Sequence, residues 1–198
     1  MTRLTFYATL LLSLALQSLS PAADGPIRDV PPAHNPPRRI VFLCDASKTM
    51  KDRWAVFVPE ITKGVNALEP GQSFNIIFLI NGKVVSMGQN LLPATKENKT
   101  RAAAFVQKAV PAGATTAAAG LRAAFAAKPE AIYFTTDGGF TDTDQLIQAT
   151  HTLNKDKRVR IDTIAVFNRS EKYENVLKQI ADENGGMFKF VTNDEVAK

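Results

Sequence analysis

A short apolar run, Ile40 to Cys44, stops abruptly at Asp45 and constrains the fold more than any other part of the sequence. The run is too short to cross a membrane and is typical of a buried strand in a parallel sheet. Two hydroxyl residues, Ser47 and Thr49, follow the carboxylate at two-residue spacing. Because ligands of open α/β sheets bind beyond the carboxyl ends of the strands, this pattern predicts oxygen ligands at a binding edge.

The rest of the chain alternates between strand-like and helix-like segments. The dipeptide Asn81-Gly82 is a strong hairpin signal, so residues 83–87 are predicted to form a short antiparallel edge strand. Repeated alternation of strands and helices requires a mostly parallel sheet covered on both faces. We therefore predict an α/β, Rossmann-like fold with six strands, at 40–44, 73–80, 83–87, 131–135, 160–167 and 187–191.

Pro59 lies within the apolar periodicity of the first predicted helix, which carries Trp54, Phe57, Ile61 and Val65. Proline costs about 3 kcal/mol in a helix interior. The helix is therefore expected either to begin near Pro59 or to kink there.

The first 37 residues are not expected to contribute to a core. Arg3, an apolar run from Leu4 to Leu16 and small residues up to Ala22 predict a signal peptide over 1–22. The alternative is an uncleaved anchor, but the run is shorter than the ~20 residues that span a bilayer. Residues 23–37 are rich in proline and predict a disordered tether, which leaves 38–198 for one domain. We expect a secreted or periplasmic protein with no membrane span after cleavage.

Composition argues against several kinds of site. The net charge is +5, but Lys and Arg are scattered, which does not favour a nucleic-acid interface. Cys44 is the only cysteine, so an intramolecular disulfide and a thiolate metal site are excluded, and a buried inert thiol is favoured. The two histidines are far apart: His34 lies in the tether and His151 in a predicted helix, where a structural role is favoured.

Two further segments carry oxygen ligands. Pro111-Ala-Gly-Ala-Thr115 is a small-residue loop between two predicted helices, and Ile132-Tyr-Phe-Thr-Thr-Asp-Gly138 is a strand that ends in a carboxylate. With the Asp45 turn, these segments resemble, in order, the metal-ion-dependent adhesion site (MIDAS) of von Willebrand factor type A (vWA) domains. The sequence departs from the usual family pattern at Thr49, where the family usually has Ser, and at Ala114, where it often has Gly.

The resemblance covers 38–198 and implies a vWA fold that binds a divalent cation, Mg²⁺ or else Mn²⁺ or Ca²⁺. In the family pattern, hydroxyls approach the ion while the two carboxylates hold it largely through water. An open coordination position would then favour a carboxylate from outside, so the implied partner is a protein that presents Asp or Glu. The resemblance implies a binding or adhesion module rather than an enzyme, with the metal held by Asp45, Ser47, Thr49, Thr115 and Asp137.

The sequence is also compatible with two other functions. A strand ending in Asp45 also resembles haloacid-dehalogenase-type phosphatases, in which an Asp attacks phosphate, although Ser47 stands where those enzymes usually carry a second Asp. The domain could also be a structural module with a vestigial metal site. In that case the Asp45 turn and Thr115 would cap helices, and Asp137 would be a turn residue.

Several other polar residues have simpler interpretations. Thr116 is expected to cap the Ala-rich helix that follows it, and Asp142 and Asp144 to complement the dipole of their own helix rather than bind a second metal. Asn98 and Asn168 begin sequons that matter only in a host that glycosylates them. The Gly113 loop lacks the Gly-Lys-Ser/Thr ending of a P-loop.

Overall fold

The computed structural model describes residues 36–140, 142–166 and 170–192. The predicted signal peptide and nearly all of the tether lie outside these residues. The described part contains a 3-10 helix, Lys48–Arg53, and five α-helices: α1 Trp54–Asn66, α2 Lys96–Lys108, α3 Ala117–Ala126, α4 Thr143–Leu153 and α5 Glu171–Glu183. Its strands are β1 Arg39–Asp45, β2 Ser73–Ile80, β3 Lys83–Ser86, β4 Leu92–Pro93, β5 Ala131–Thr136, β6 Arg160–Val166 and β7 Phe188–Val191.

One sheet contains all seven of these described strands, in the order β3-β2-β1-β5-β6-β7, with β4 also paired to β2. The pairs β1–β2, β1–β5, β5–β6 and β6–β7 are parallel, whereas β3 and β4 run antiparallel to β2. The predicted α/β class is therefore confirmed, but the predicted number of six strands is wrong. The extra strand, β4, has only two residues, which is too short for a period-2 pattern to reveal.

Helices cover both faces of the sheet. Alternate residues of β1 point to opposite sides: Phe42 belongs to the core that α1 and α2 cover, and Leu43 to the core that α3, α4 and α5 cover. Because both faces are covered, β1 is buried from Ile40 to Asp45. This explains why its sequence is continuously apolar up to the carboxylate.

The first helix was expected either to begin near Pro59 or to kink there. Helix α1 begins at Trp54 and runs through Pro59, so a start near Pro59 is wrong. Within the described residues, no helix combines the length and apolar character needed to cross a bilayer.

Candidate metal centre

Asp45 lies at the carboxyl end of the central strand and is fully buried. One carboxylate oxygen accepts hydrogen bonds from the Ser47 backbone N–H at 2.8 Å and from the Thr115 hydroxyl at 2.7 Å. The other oxygen accepts a hydrogen bond from the Thr136 hydroxyl at 2.8 Å. Three segments of the chain therefore meet at one carboxylate.

The two hydroxyls that follow Asp45 lie side by side. Ser47 Oγ and Thr49 Oγ1 are 2.9 Å apart; Ser47 is buried and Thr49 is exposed. Ser47 occupies the N-cap position of the 3-10 helix, but its side chain makes no capping hydrogen bond. The Ser47 hydroxyl therefore does not cap the following helix.

Backbone hydrogen bonds fix the loop that carries Thr115. Ala112 N–H donates to Ala46 O at 3.0 Å, and Lys48 N–H donates to Gly113 O at 2.9 Å, so the loop is tied directly to the Asp45 turn. The Asn81-Gly82 hairpin turn holds the other side of the loop, with N–H groups donating to Ala112 O at 2.6 Å and to Ala114 O at 2.9 Å. Gly113 has a φ of +64°, which favours glycine.

Asp137 follows β5 directly and is 4% exposed. One of its oxygens accepts a hydrogen bond from Gly139 N–H at 3.0 Å. A Cβ built on Gly139 would lie 3.2 Å from that same oxygen and 3.6 Å from Thr49 Oγ1. The absence of a side chain at Gly139 therefore leaves open the space between the Asp137 carboxylate and the Thr49 hydroxyl.

The Asp45 carboxylate is buried and lies near the negative charge of Asp137. Burial raises the pKa of Asp45, and the nearby negative charge of Asp137 raises it further. The hydrogen bonds that Asp45 accepts from Thr115, Ser47 and Thr136 act in the opposite direction. Asp45 is therefore a buried acid for which a nearby positive charge would favour ionisation.

A family model matches most of this chain. It describes the von Willebrand factor type A domain and matches residues 38–190. The chain belongs to the von Willebrand factor type A domain family. A search of curated proteins finds no significant match to this vWA domain.

Solved structures show the same fold. A von Willebrand factor type A protein from Catenulispora acidiphila superposes on the vWA domain with a TM-score of 0.66 at 20% identity, covering 80% of this chain and 39% of that one. The human COPII-coat protein Sec24c gives a TM-score of 0.53 at 12% identity, covering 82% of this chain and 30% of that one. This chain therefore spans less than half of either structure, and at these identities the likeness concerns the fold alone.

The donor set of this vWA domain suits a hard cation such as Mg²⁺, which prefers about six oxygen ligands near octahedral geometry. With Mg–O bonds of about 2.0–2.1 Å, adjacent ligands in an octahedron lie about 2.9 Å apart. The distance between Ser47 Oγ and Thr49 Oγ1 is 2.9 Å. No three His, Cys, Asp or Glu side chains form a metal-binding cluster in the described ranges. An ion at this site would therefore depend on hydroxyl oxygens and water as well as on the two carboxylates.

Sequence reasoning assigned no role to Thr136. Its hydroxyl donates to Asp45 and accepts a hydrogen bond from Gly138 N–H at 3.0 Å, so it joins the end of β1 to the turn after β5. Parallel pairing places Cys44 opposite Thr135, which brings the next residue of each strand together. The signal was present in the sequence, because the strand ends in two polar residues, Thr135 and Thr136, after a largely apolar start.

The Asp142 carboxylate bonds to a helix other than its own. The residue occupies the N-cap position of α4, but its side chain makes no capping bond there. Its carboxylate instead accepts hydrogen bonds from Ala117 N–H at 3.3 Å and Ala118 N–H at 2.9 Å, at the start of α3. Thr116 occupies the N-cap position of α3, as expected, but its hydroxyl makes no capping bond. Asp144 lies in the first turn of α4, as expected.

Cys44, His151 and Asn98 lie in structural surroundings. Cys44 is buried, and burial raises the pKa of its thiol, which disfavours the reactive thiolate. His151 Nε2 lies 2.6 Å from a Glu183 carboxylate oxygen, across α4 and α5. Asn98 lies in α2, where its amide donates to Pro93 O at 2.9 Å. His34 and Asn168 lie outside the described residues.

Proposed function

We propose that this vWA domain is an extracytoplasmic binding module that holds a divalent cation and captures an acidic residue of a protein partner. The ligands would be Asp45, Ser47, Thr49, Thr115 and Asp137, and the ion Mg²⁺ or else Mn²⁺ or Ca²⁺. The observation that carries the proposal is the meeting of three chain segments at the Asp45 carboxylate, with the Thr115 hydroxyl 2.7 Å away. Membership of the vWA family supports a role in protein interaction.

The chemistry of the site favours an anionic partner. In the proposed arrangement the three neutral hydroxyls contact the cation and the two carboxylates hold it through water, so the direct protein ligands leave the charge of the ion uncompensated. Of the five proposed ligands only Thr49 is exposed, and Gly139 beside it is exposed too, whereas Asp45, Ser47, Thr115 and Asp137 are buried. A partner would therefore approach at the side of Thr49 and Gly139. A carboxylate is the side chain that best complements the charge there.

Isothermal titration with Mg²⁺ and Mn²⁺ tests the first step. Thr49→Ala removes one proposed ligand at an exposed position, so the variant should fold normally and bind Mn²⁺ about 10-fold more weakly. Thr152→Ala is the matched control, because Thr152 is an exposed hydroxyl in α4 that donates to Gln148 O. Absence of cation heat for the folded wild type would refute the metal site and favour a vestigial one.

Capture of an acidic partner requires a separate experiment. A Mg²⁺-dependent pull-down from the native extracytoplasmic fraction should retain a protein that EDTA releases. Replacing the contacted Asp or Glu of that protein by its amide should abolish retention. A partner that remains bound in EDTA would show that another surface of the vWA domain carries the interaction.

We further propose that the domain is not an enzyme and that residues 1–22 are removed on export. A dehalogenase-type phosphatase usually carries its second Asp where this chain has Ser47, and the Ser47 hydroxyl contacts Thr49. Hydrolysis of a generic aryl phosphate that Asp45→Asn abolishes would show that the domain is an enzyme.

Removal of residues 1–22 is tested by N-terminal sequencing of the mature protein, which should begin at residue 23. An intact N-terminus would overturn this proposal and favour a membrane anchor.

A further inference from the structure

We infer that Asp142 is a positioning residue for the metal site, which holds Thr115 in place through the first turn of α3. The inference rests on the proposed function, because it concerns how the same site binds its cation. It adds to the five proposed ligands a residue that does not contact the ion.

The start of α3 depends on a residue from another segment. Helix α3 leaves backbone N–H groups free at its first turn, as every α-helix does. The hydroxyl of Thr116, in the N-cap position, does not satisfy them. The Asp142 carboxylate does so instead, with one oxygen 3.3 Å from Ala117 N and the other 2.9 Å from Ala118 N. A carboxylate at this place also complements the positive end of the helix dipole.

This contact joins two ligand-bearing segments. Thr115 lies two residues before α3, and Asp142 lies five residues after Asp137 in the sequence. The Asp142 carboxylate therefore fixes the α3 side of the site relative to the Asp137 side. Without it, the first turn of α3 would lose two hydrogen bonds. Thr115, whose hydroxyl lies 2.7 Å from Asp45, would then be positioned only by the backbone hydrogen bonds of the loop before it.

The chain offers a matched control. Asp144 lies two residues further on, in the first turn of α4, and is exposed. Removing its carboxylate changes the net charge of the domain by the same amount as removing that of Asp142. A comparison of the two variants therefore separates the local contact to α3 from the general effect of charge on cation binding.

The experiment measures Mn²⁺ affinity by isothermal titration for Asp142→Ala, Asp142→Asn and Asp144→Ala. Asp142→Ala should weaken binding about 10-fold, as is usual when a residue that orients a metal ligand is lost. Asp144→Ala should stay close to wild type. Asp142→Asn keeps an acceptor oxygen and should recover part of the loss.

A double-mutant cycle separates positioning from a general loss of stability. In a Thr115→Ala background the positioned hydroxyl is absent, so Asp142→Ala should have little further effect on Mn²⁺ affinity. An undiminished effect in that background, or equal affinities for Asp142→Ala and Asp144→Ala, would overturn the inference alone.

Wild-type protein that binds no Mn²⁺ would overturn the proposed function together with the inference. If Asp142→Ala does not fold, the same cycle is measured with Asp142→Asn, which retains the volume of the side chain.

Discussion

The Thr136 hydroxyl links β1 to the turn after β5, so replacing it tests how much that link stabilises the domain. The Thr136 hydroxyl donates to a buried carboxylate oxygen of Asp45 at 2.8 Å and accepts from the buried Gly138 N–H at 3.0 Å. Thr136→Val keeps the shape of the side chain but removes both hydrogen bonds. Thr136→Ser keeps both and removes only a methyl group.

Both hydrogen bonds of the Thr136 hydroxyl contribute to the free energy of unfolding. A hydrogen bond to a charged group contributes about 1.5–3 kcal/mol, and a buried N–H without a partner costs about 1–3 kcal/mol. Thr136→Val should therefore reduce the free energy of unfolding by about 4 kcal/mol. The loss of one buried methyl group in Thr136→Ser should cost about 1 kcal/mol. The two variants should thus differ by about 3 kcal/mol, a large fraction of the stability of a typical domain.

Urea unfolding with EDTA present measures this difference without a contribution from bound cations. Trp54 is the only tryptophan of the chain, and its ring contacts Phe57 and Phe78, so its fluorescence should report loss of the core. With a slope of about 2 kcal/mol per M urea, the midpoints of the two variants should differ by about 1.5 M. A difference below about 0.5 M would refute the structural role assigned to the Thr136 hydroxyl.

Two further predictions concern the loop that carries Thr115 and a buried acid far from the site. Gly113→Ala would place a Cβ 2.5 Å from Asn81 Cα. Gly185→Ala is the control, because Gly185 has a similar φ of +63° but open space around it. In urea unfolding, Gly113→Ala should lower the free energy of unfolding by about 1–3 kcal/mol more than Gly185→Ala does. Equal losses would mean that the loop moves away freely. Burial raises the pKa of Asp162 above its ordinary value of 3.8, although Arg160 opposes the shift. The native state then binds the proton more tightly than the unfolded state does. Wild type should therefore lose stability relative to Asp162→Asn as pH rises from about 4 through the raised pKa. A pH series of urea midpoints that shows the opposite slope would contradict this prediction.

Much of the architecture follows from the sequence because its signals are local. The apolar run up to Asp45 and the Asn81-Gly82 turn each predict a structural element without knowledge of the rest of the chain. The rule that ligands gather at the carboxyl ends of parallel strands then places Asp45 and Asp137 at one edge of the sheet. Their role as metal ligands stays a prediction.

The parts that could not be predicted depend on contacts between distant segments. Asp142 follows a turn and precedes a helix, which is the pattern of a local cap, yet its carboxylate bonds to a helix that begins 25 residues earlier. Thr136 bonds to a residue 91 positions away. Strand β4 pairs with β2 over only two residues, so packing rather than periodicity determines that it forms.

The Asp45 carboxylate accepts hydrogen bonds from hydroxyls that lie 70 and 91 residues further along the chain. An unfolded chain holds these groups far apart, so a cation that binds among them would bind only the native protein. Such an ion would add about 2.7 kcal/mol to the free energy of unfolding at a concentration about 100 times its Kd. The supply of divalent cations around the protein would then govern its lifetime as well as its readiness to bind a partner.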